Sequence, residues 1–397
     1  MVITRVCGTR STGSIPVGHP FAGVFSFLIH MPNVLILTAA MGGGHNAAAR
    51  ALAEASSHYK DLSVLVLDVN DAAGKTGKKL LVSSYHVLAG KLPRVWKFLY
   101  KNTNNALAQN IFANISAVLS GISAKQIIEQ AKKFKPDYIL GTHFFAPYFL
   151  SKTPLAKIPW GMVVTDYAWH EMWYHPMIHN HFVANKMIKN KSKTFQRNSA
   201  HFSITGIPVN PEFYITKNPE TLREKYSIPL DQPCILLLSG GDGFTHVADS
   251  IPYFKKIKKP ITIIAIAGKN VGLEQKFEKQ PWPKDSIHQV VGWTNTMDEY
   301  MRMADIIVSK PGGLTVSECQ ALGKYMIMVS PIPGQEEANA QYVESHDFGK
   351  IAQDNNEVID LINQFLENPK KLMTKKNLPA TDAIWQTIIK ELQQKSS

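Results

Sequence analysis

Residues 306–340, IIVSKPGGLTVSECQALGKYMIMVSPIPGQEEANA, constrain the fold more than any other stretch of the chain. Ile306-Ile307-Val308 is a short apolar run suited to a buried strand. Pro311-Gly312-Gly313 ends it in a tight turn that leaves room for a close neighbour. Leu314 to Leu322 reads as a helix stopped by Gly323. Tyr325 to Val329 reads as a second buried strand, Pro331 to Gly334 as a turn, and Gln335 to Val343 as another helix. The result is a βαβ unit, whose crossover is almost always right-handed. Ligands of such sheets sit at the carboxyl ends of the strands, over helix N-termini that attract phosphate. Glu318 and Glu336 fall near those ends. Carboxylates accept hydrogen bonds from sugar hydroxyls and have nothing to donate to a phosphate. The expected pocket therefore holds a phosphate and a polyol.

The same rhythm runs through the rest of the chain. Val34 to Ala40 reads as a strand, Met41-Gly42-Gly43-Gly44-His45 as a Gly-rich turn, and Asn46 to Ser57 as an Ala-rich helix. No Gly-Lys-Ser/Thr follows the turn, and it lacks the G-x-G-x-x-G spacing, so it is neither a P-loop nor a dinucleotide fingerprint. His45 stands at the head of the helix. The dipole there favours a neutral imidazole able to accept a proton, although a His that merely caps or packs would suit the same position. Further strands are expected at Ser63–Val69, Asp137–Gly141 (before Thr142-His143), Pro159–Thr165 and His201–Thr205. Asp166 to Pro176 is dense in His and aromatic residues. His170 and His175 are five apart and Pro176 breaks any helix, so the cluster lacks the i,i+4 geometry of a metal site. Residues 210–233 are polar and punctuated by Pro, as an interdomain linker would be. Strands follow at Cys234–Ser239 (leading into Gly240-Gly241-Asp242-Gly243), Ile261–Ala267 and Ile287–Val291, with Trp293-Thr294 just beyond. Ala380–Gln394 reads as a last helix.

A chain of 397 residues, 45% hydrophobic and 19% charged, is globular and long enough for two cores. Its formal charge of +12 points to an acidic partner, with nucleic acid and an anionic membrane as the candidates. Residues 74–123 mix basic and aromatic side chains, among them Lys78, Lys79, Lys91, Arg94, Trp96 and Lys97, with Leu80, Leu81, Tyr85, Leu88 and Leu92 at near-helical spacing. That pattern suits an anionic membrane surface. A packed helical hairpin with solvated lysines is the plainer alternative. No nucleic-acid motif is recognisable, and no nucleic-acid partner is expected. Cys7, Cys234 and Cys319 have no metal-ligand spacing, and their rarity fits a reducing cytosol. No run of about 18 apolar residues occurs, so no transmembrane helix is expected. In residues 1–30, Arg5 and Arg10 precede the apolar 21–29, and no acidic residue appears before Glu54. The pattern fits a targeting segment or, as the preferred reading, an extension upstream of a working start at Met31.

G-G-L-T-V-S-E followed by P-x-P-G-Q-E-x-x-N-A resembles the donor site of the glycosyltransferase family that contains monogalactosyldiacylglycerol synthases and bacterial processive diacylglycerol glucosyltransferases. The transferase that adds N-acetylglucosamine to the peptidoglycan lipid precursor is a more distant relative. The resemblance runs from Met31 to about Ala352. It implies an α/β protein of two Rossmann-like domains facing across a cleft, the GT-B arrangement. Residues 31–209 would form the acceptor and membrane-binding domain, 210–233 the linker, 234–379 the donor domain, and 380–397 a helix crossing back to the first domain. Residues 1–30 would lie outside the fold. In this resemblance Glu318 binds the ribose of UDP, and Gln335 and Glu336 contact the transferred hexose. Gly312, Gly313, Leu314, Thr315 and Asn339 complete that face of the donor site. Gly240, Gly241 and Gly243 face the diphosphate, and Trp293 and Thr294 the uracil. Gly43, Gly44 and His45 match the family's G-G-G-H, whose His is the proposed base. His143, Asp166, His170 and Trp173 are the implied acceptor-side residues, the last three within a T-D-x-x-x-H-x-x-W-x-H-P stretch. His179-Asn180-His181 departs from the family's acidic and aromatic residues.

The implied reaction is inverting transfer of a hexose from UDP-glucose or UDP-galactose to diacylglycerol, without a cofactor. The absence of any D-x-D motif fits a metal-independent mechanism. The implied location is cytoplasmic, peripheral to the inner face of the membrane. A transferase acting on a polyprenyl-linked cell-wall precursor is one alternative. A catalytically silent UDP-sugar-binding membrane module is the other. Neither the identity of the hexose nor the number of residues added is legible.

Overall fold

The computed structural model describes residues 31–39, 43–69, 125–191, 201–240, 247–370, 372 and 378–396. Among the described residues, twelve strands form two six-stranded sheets. The first contains β1 (Asn33–Thr38), β2 (Ser63–Asp68), β3 (Tyr138–Gly141), β4 (Trp160–Val163), β5 (Ile178–Val183) and β6 (His201–Ile204), in the order β2-β1-β3-β4-β5-β6. The second contains β7 (Cys234–Leu238), β8 (Thr262–Ile266), β9 (Ile287–Val291), β10 (Ile306–Ser309), β11 (Tyr325–Met328) and β12 (Gly349–Ile351), in the order β12-β11-β10-β7-β8-β9. Every pairing is parallel. Parallel sheets are covered on both faces, which is why CILLL, YMIM and, after Thr262, IIAI are unbroken apolar runs and wholly buried.

The order of each sheet reverses at one place, between β1 and β3 in the first and between β7 and β10 in the second. Ligands of open α/β sheets bind at such switch points. Gly43-Gly44-His45 after β1, Thr142-His143 after β3, Gly240 after β7 and Pro311-Gly312-Gly313 after β10 all lie there, so the topology places these parts of the sequence motifs opposite one another.

Four helices position the site. α1 (Gly43–Ala55) starts earlier than its Ala-rich segment suggests and takes Gly43, Gly44 and His45 into its first turn; a 3-10 turn, Ser56–His58, ends it. α2 (Gly313–Leu322) closes on Gly323, which is left-handed (φ 62°, ψ 39°), a conformation glycine adopts without steric cost. α3 (Gln335–Ser345) follows β11. α4 (Ala380–Ser396) returns to the first domain. Its Ile384, Trp385 and Ile388 are fully buried among Val34, Ile36, Leu52, Leu140 and Phe182, and Trp385 Nε1 donates to Leu52 O at 3.0 Å.

Two strands escape a reading by hydrophobic pattern. β12 is only three residues long. β5, IHNHFV, buries Asn180 and His181, which look like loop residues until their partners are seen. Asn180 Nδ2 donates to Ser203 Oγ (2.9 Å) and to Glu391 Oε1 (2.7 Å), and His181 Nε2 lies 3.2 Å from Trp173 O. Residues 210–233 also carry more structure than a bare connector. Pro219–Lys225 is helical, Leu222 and Ile228 join the core of the second domain, and Arg223 bonds Met303 O and pairs with Asp305 at 2.7 Å. Residues 1–30 and the basic, aromatic stretch with Lys78, Lys79, Lys91, Arg94, Trp96 and Lys97 lie outside the described residues, as do Gly241 and Gly243. No helix among the described residues is long and apolar enough to cross a membrane.

Candidate active site

The two domains touch through the loop that follows β4. Thr165 O would lie 2.1 Å from a Cβ on Gly313, so the backbones approach as closely as they do only because Gly313 has no side chain. Tyr167, from the first domain, is buried in the core of the second. Its ring stacks on Tyr342 with centroids 4.1 Å apart, and its hydroxyl reaches Ser317 Oγ (2.9 Å) and Gln320 Oε1 (3.2 Å). Between them, Asp166 is 4% exposed. Its carboxylate accepts from Gln335 Nε2 and from Asn339 Nδ2. Asn339 Oδ1 in turn accepts from Tyr167 N–H at 2.8 Å, and Asn339 Nδ2 also donates to Pro311 O at 3.1 Å. Burial raises the Asp166 pKa from 3.8 to about 6, against the opposing pull of those amide donors and of Lys310.

In the second domain, Glu318 sits one turn into α2. Its side chain is half-buried and makes no hydrogen bond among the described residues; burial alone raises its pKa from 4.5 to about 8. Glu336, at the start of α3, is buried and engaged. One oxygen pairs with Lys310 Nζ at 2.8 Å and the other accepts from Ile332 N–H at 2.8 Å. Lys310 leaves the end of β10 and passes Gly240, with its Cε 3.0 Å from where Gly240 would carry a Cβ. A Cβ on Gly312 would sit 3.9 Å from Glu336 Oε1 and 4.0 Å from Thr315 Oγ1, and one on Gly44 would sit 3.9 Å from Leu314 Cβ. Gly44, Gly312, Gly313, Leu314, Thr315, Glu336, Gln335 and Asn339 are thus gathered where the heads of α1, α2 and α3 converge. Trp293 and Thr294 follow the edge strand β9 instead. The Trp293 ring is 48% exposed and lies under Lys269 Nζ at 4.4 Å, and Thr294 Oγ1 accepts from Thr296 N–H.

In the first domain, His45 is buried at the head of α1. Its Nδ1 is 2.9 Å from Thr142 O and 2.9 Å from Thr165 Oγ1. A carbonyl oxygen can only accept, so Nδ1 carries the proton and Nε2 keeps its lone pair. Burial lowers the His45 pKa to about 4, with the Thr142 carbonyl pulling the other way, so burial holds this imidazole neutral. His143 packs edge-on at 4.4 Å, with Nδ1 accepting from Phe145 N–H. The Trp173 ring is 6.0 Å from His45, and His170 Nδ1 accepts from Met172 N–H to hold the turn that carries Trp173. Thr165 opens the T-D-x-x-x-H stretch but is not singled out there, and Tyr167 and Lys310 are functional candidates that motif reading passes over. Of those two, Lys310 leaves a trace in the sequence, as a cation placed directly between a buried strand and a glycine turn.

The monogalactosyldiacylglycerol (MGDG) synthase family matches residues 45–209, and the C-terminal domain of glycosyltransferase family 28 matches residues 234–392. A processive diacylglycerol beta-glucosyltransferase of Bacillus licheniformis is 27% identical over 352 residues, which is 87% of this chain and 90% of that one. Its counterpart in Bacillus cytotoxicus is 28% identical over 352 residues, covering 88% and 89%. Among solved structures, MurG of Acinetobacter baumannii superposes with a TM-score of 0.54 at 18% identity, over 91% of this chain and 99% of that one. MnaA of S. aureus with UDP gives 0.58 at 13% identity, over 91% and 97%, and Anabaena HepE with UDP and glucose gives 0.52 at 15%, over 91% and 100%. At such identities these likenesses establish the two-domain GT-B fold. With a family match on each of its two domains and relatives spanning most of its length, the chain belongs to the monogalactosyldiacylglycerol synthase and processive diacylglycerol glucosyltransferase family of GT-B glycosyltransferases.

Proposed function

We propose that the protein is an inverting glycosyltransferase that moves a hexose from UDP-glucose or UDP-galactose to diacylglycerol and so makes a membrane glycolipid. The observation that carries this reading is Glu318, a desolvated carboxyl in α2 with no hydrogen bond among the described residues, in the domain that faces a His45 whose Nε2 keeps its lone pair. A carboxylate in that setting is satisfied by the paired hydroxyls of a ribose. Gln335 and Glu336 offer an amide and a carboxylate to the hexose. Lys310 and the first N–H groups of α2 carry positive potential for the diphosphate.

In the reaction, His45 Nε2 takes the proton of the acceptor hydroxyl as its oxygen bonds to the anomeric carbon. The bond from that carbon to the UDP oxygen breaks on the opposite face, which inverts the centre. The pair of electrons leaves with UDP, whose added negative charge Lys310 and the helix terminus stabilise. The names of the relatives support diacylglycerol as the acceptor.

Mass spectrometry of lipid extracts after incubation with diacylglycerol vesicles and each UDP-hexose in turn tests the proposal. The expected result is a diacylglycerol carrying at least one hexose with one of the two donors. No glycolipid with either donor refutes the assignment, and transfer to a polyprenyl-linked acceptor in place of diacylglycerol redirects it.

Diacylglycerol exposes little beyond its hydroxyl at the bilayer surface, so the enzyme must work as a peripheral protein at the membrane. The basic, aromatic stretch that includes Lys78, Lys79, Lys91, Arg94, Trp96 and Lys97 supplies the charge and the anchors, each cation contributing about 1 kcal/mol near an anionic surface. Sedimentation with anionic vesicles should weaken as salt rises without vanishing, because aromatic burial is not screened. Equal sedimentation of wild type and a variant with Lys78, Lys79, Lys91 and Arg94 changed to Glu would remove this stretch from docking.

A further inference from the structure

Two adjacent residues of one loop of the first domain reach the two halves of the reaction. Thr165 Oγ1 lies 2.9 Å from His45 Nδ1, and the carboxylate of Asp166 holds Gln335 and Asn339 of the second domain. Gln335 and Asn339 are four residues apart and lie on one face of α3. Asp166 therefore grips the first turn of that helix from across the cleft. Glu336, between them, is already tied to Lys310 and to Ile332 N–H on its own domain. Asn339 is fixed by Pro311 O and Tyr167 N–H as well as by Asp166. The Gln335 amide is the member of this group whose hydrogen bond across the cleft sets its direction.

We propose that Asp166 is a positioning residue for transfer: acting from the first domain through Gln335, it fixes how the donor hexose is presented, and does so only when the two domains are closed. The inference rests on the placement of the hexose against Gln335 proposed above.

An ionised carboxylate accepts and never donates. Gln335 must therefore turn its NH2 group toward Asp166, which leaves Oε1 and one N–H for sugar hydroxyls. Without that partner a terminal amide has two nearly equivalent orientations, one with the oxygen and nitrogen exchanged. A hexose epimer differs in the direction of a single hydroxyl, so an amide of fixed polarity discriminates where a free one does not. The coupling to closure follows from burial. A carboxylate withdrawn from water is tolerated when donors satisfy it, and both side-chain donors come from the other domain. Opening the cleft would return Asp166 to water and release Gln335 in the same step.

A double-mutant cycle in steady-state turnover tests this, using the full chain, diacylglycerol vesicles and both UDP-hexoses. Asp166→Asn keeps the shape but sets an NH2 group against that of Gln335, so the Gln335 amide should reverse. Expected are a loss of turnover of about 10–100-fold with the preferred donor, as for a displaced reactant, and a narrowed ratio between the two donors. UDP affinity by calorimetry should change by less than about threefold, since the Asp166 carboxylate bonds Gln335 and Asn339 rather than Glu318, where the proposed function places the ribose. In a Gln335→Ala background, Asp166→Asn should cost nothing more. A loss that multiplies with that of Gln335→Ala overturns the proposal, because Asp166 would then act independently of Gln335. Equal losses with both donors overturn it too, as does wild-type turnover. If Asp166→Asn fails to melt cooperatively or to bind UDP, Asp166→Ser takes its place in the cycle with the same outcomes. An unaffected Gln335→Ala single variant removes the hexose from Gln335, and that failure belongs to the proposed function.

Discussion

Replacing His45 by alanine is expected to lower turnover by about 10²–10⁴-fold, the range supplied by a positioned general base, and to leave UDP affinity nearly unchanged. The proton on Nδ1 is committed to Thr142 O at 2.9 Å, so the nitrogen free to act is Nε2. Burial makes this imidazole a weak base, with a pKa of about 4, and the Thr142 carbonyl returns part of the lost basicity as positive charge develops on the ring. A base works while unprotonated. Activity that depends on His45 is therefore lost only as the pH falls through about 4, and no acid limb from this residue should appear in the neutral range. Glu318, Gln335 and Lys310 belong to the second domain, which is why the nucleotide should bind the variant as before. Kinetics on diacylglycerol vesicles, UDP calorimetry and a melting curve together make the check. A folded variant that keeps more than about a tenth of wild-type turnover is incompatible with the base role.

Glu318→Ala is expected to weaken UDP binding by about 1.5–3 kcal/mol, the worth of charge-assisted hydrogen bonds, which is roughly ten- to 150-fold in Kd. The same residue should burden the ligand-free protein. Its folded pKa of about 8 lies above the ordinary 4.5, so the folded state binds more protons than the unfolded state between those values. Stability is then full below about 4.5 and is lost as the pH rises through about 8. Glu318→Gln removes that titration. Its melting temperature should hold up better than the wild type's between pH 5 and 9, by the equivalent of about 1–2 kcal/mol after allowance for the half-exposed side chain. A site residue that costs stability until its ligand arrives is a common trade between function and folding. Unchanged UDP affinity in folded Glu318→Ala would take the carboxyl out of the nucleotide site.

Local chemistry explains what was legible in the chain. The unit from β10 through α2, β11 and α3 announces itself because strand, turn and helix are each written in contiguous residues: an apolar run, two glycines, a periodic face and a glycine stop. The first strand and its Gly-rich turn are as plain, and α4 shows its pattern after Pro379. β5 is hidden because its Asn180 and His181 look solvated, and the groups that make their burial tolerable, Ser203, Glu391 and Trp173 O, lie elsewhere in the chain. Glu318 was marked by its motif, but its lack of a hydrogen bond among the described residues and its raised pKa come only from the packing around it.

The sequence by itself determined the two parallel sheets, the places where glycine breaks them, and the residue types gathered at the ends of their strands, because those depend on neighbours a few positions apart. Only the tertiary structure decided which of these groups face one another. Asp166 and Gln335 are 169 residues apart, Tyr167 and Ser317 are 150 apart, and Thr165 and His45 are 120 apart. No local pattern encodes those pairings. The third joins the head of α1 to the loop after β4 within the first domain. The first two arise because two separately patterned domains close on each other until Thr165 O meets a glycine at 313, and that contact is a property of the assembled backbones rather than of either segment.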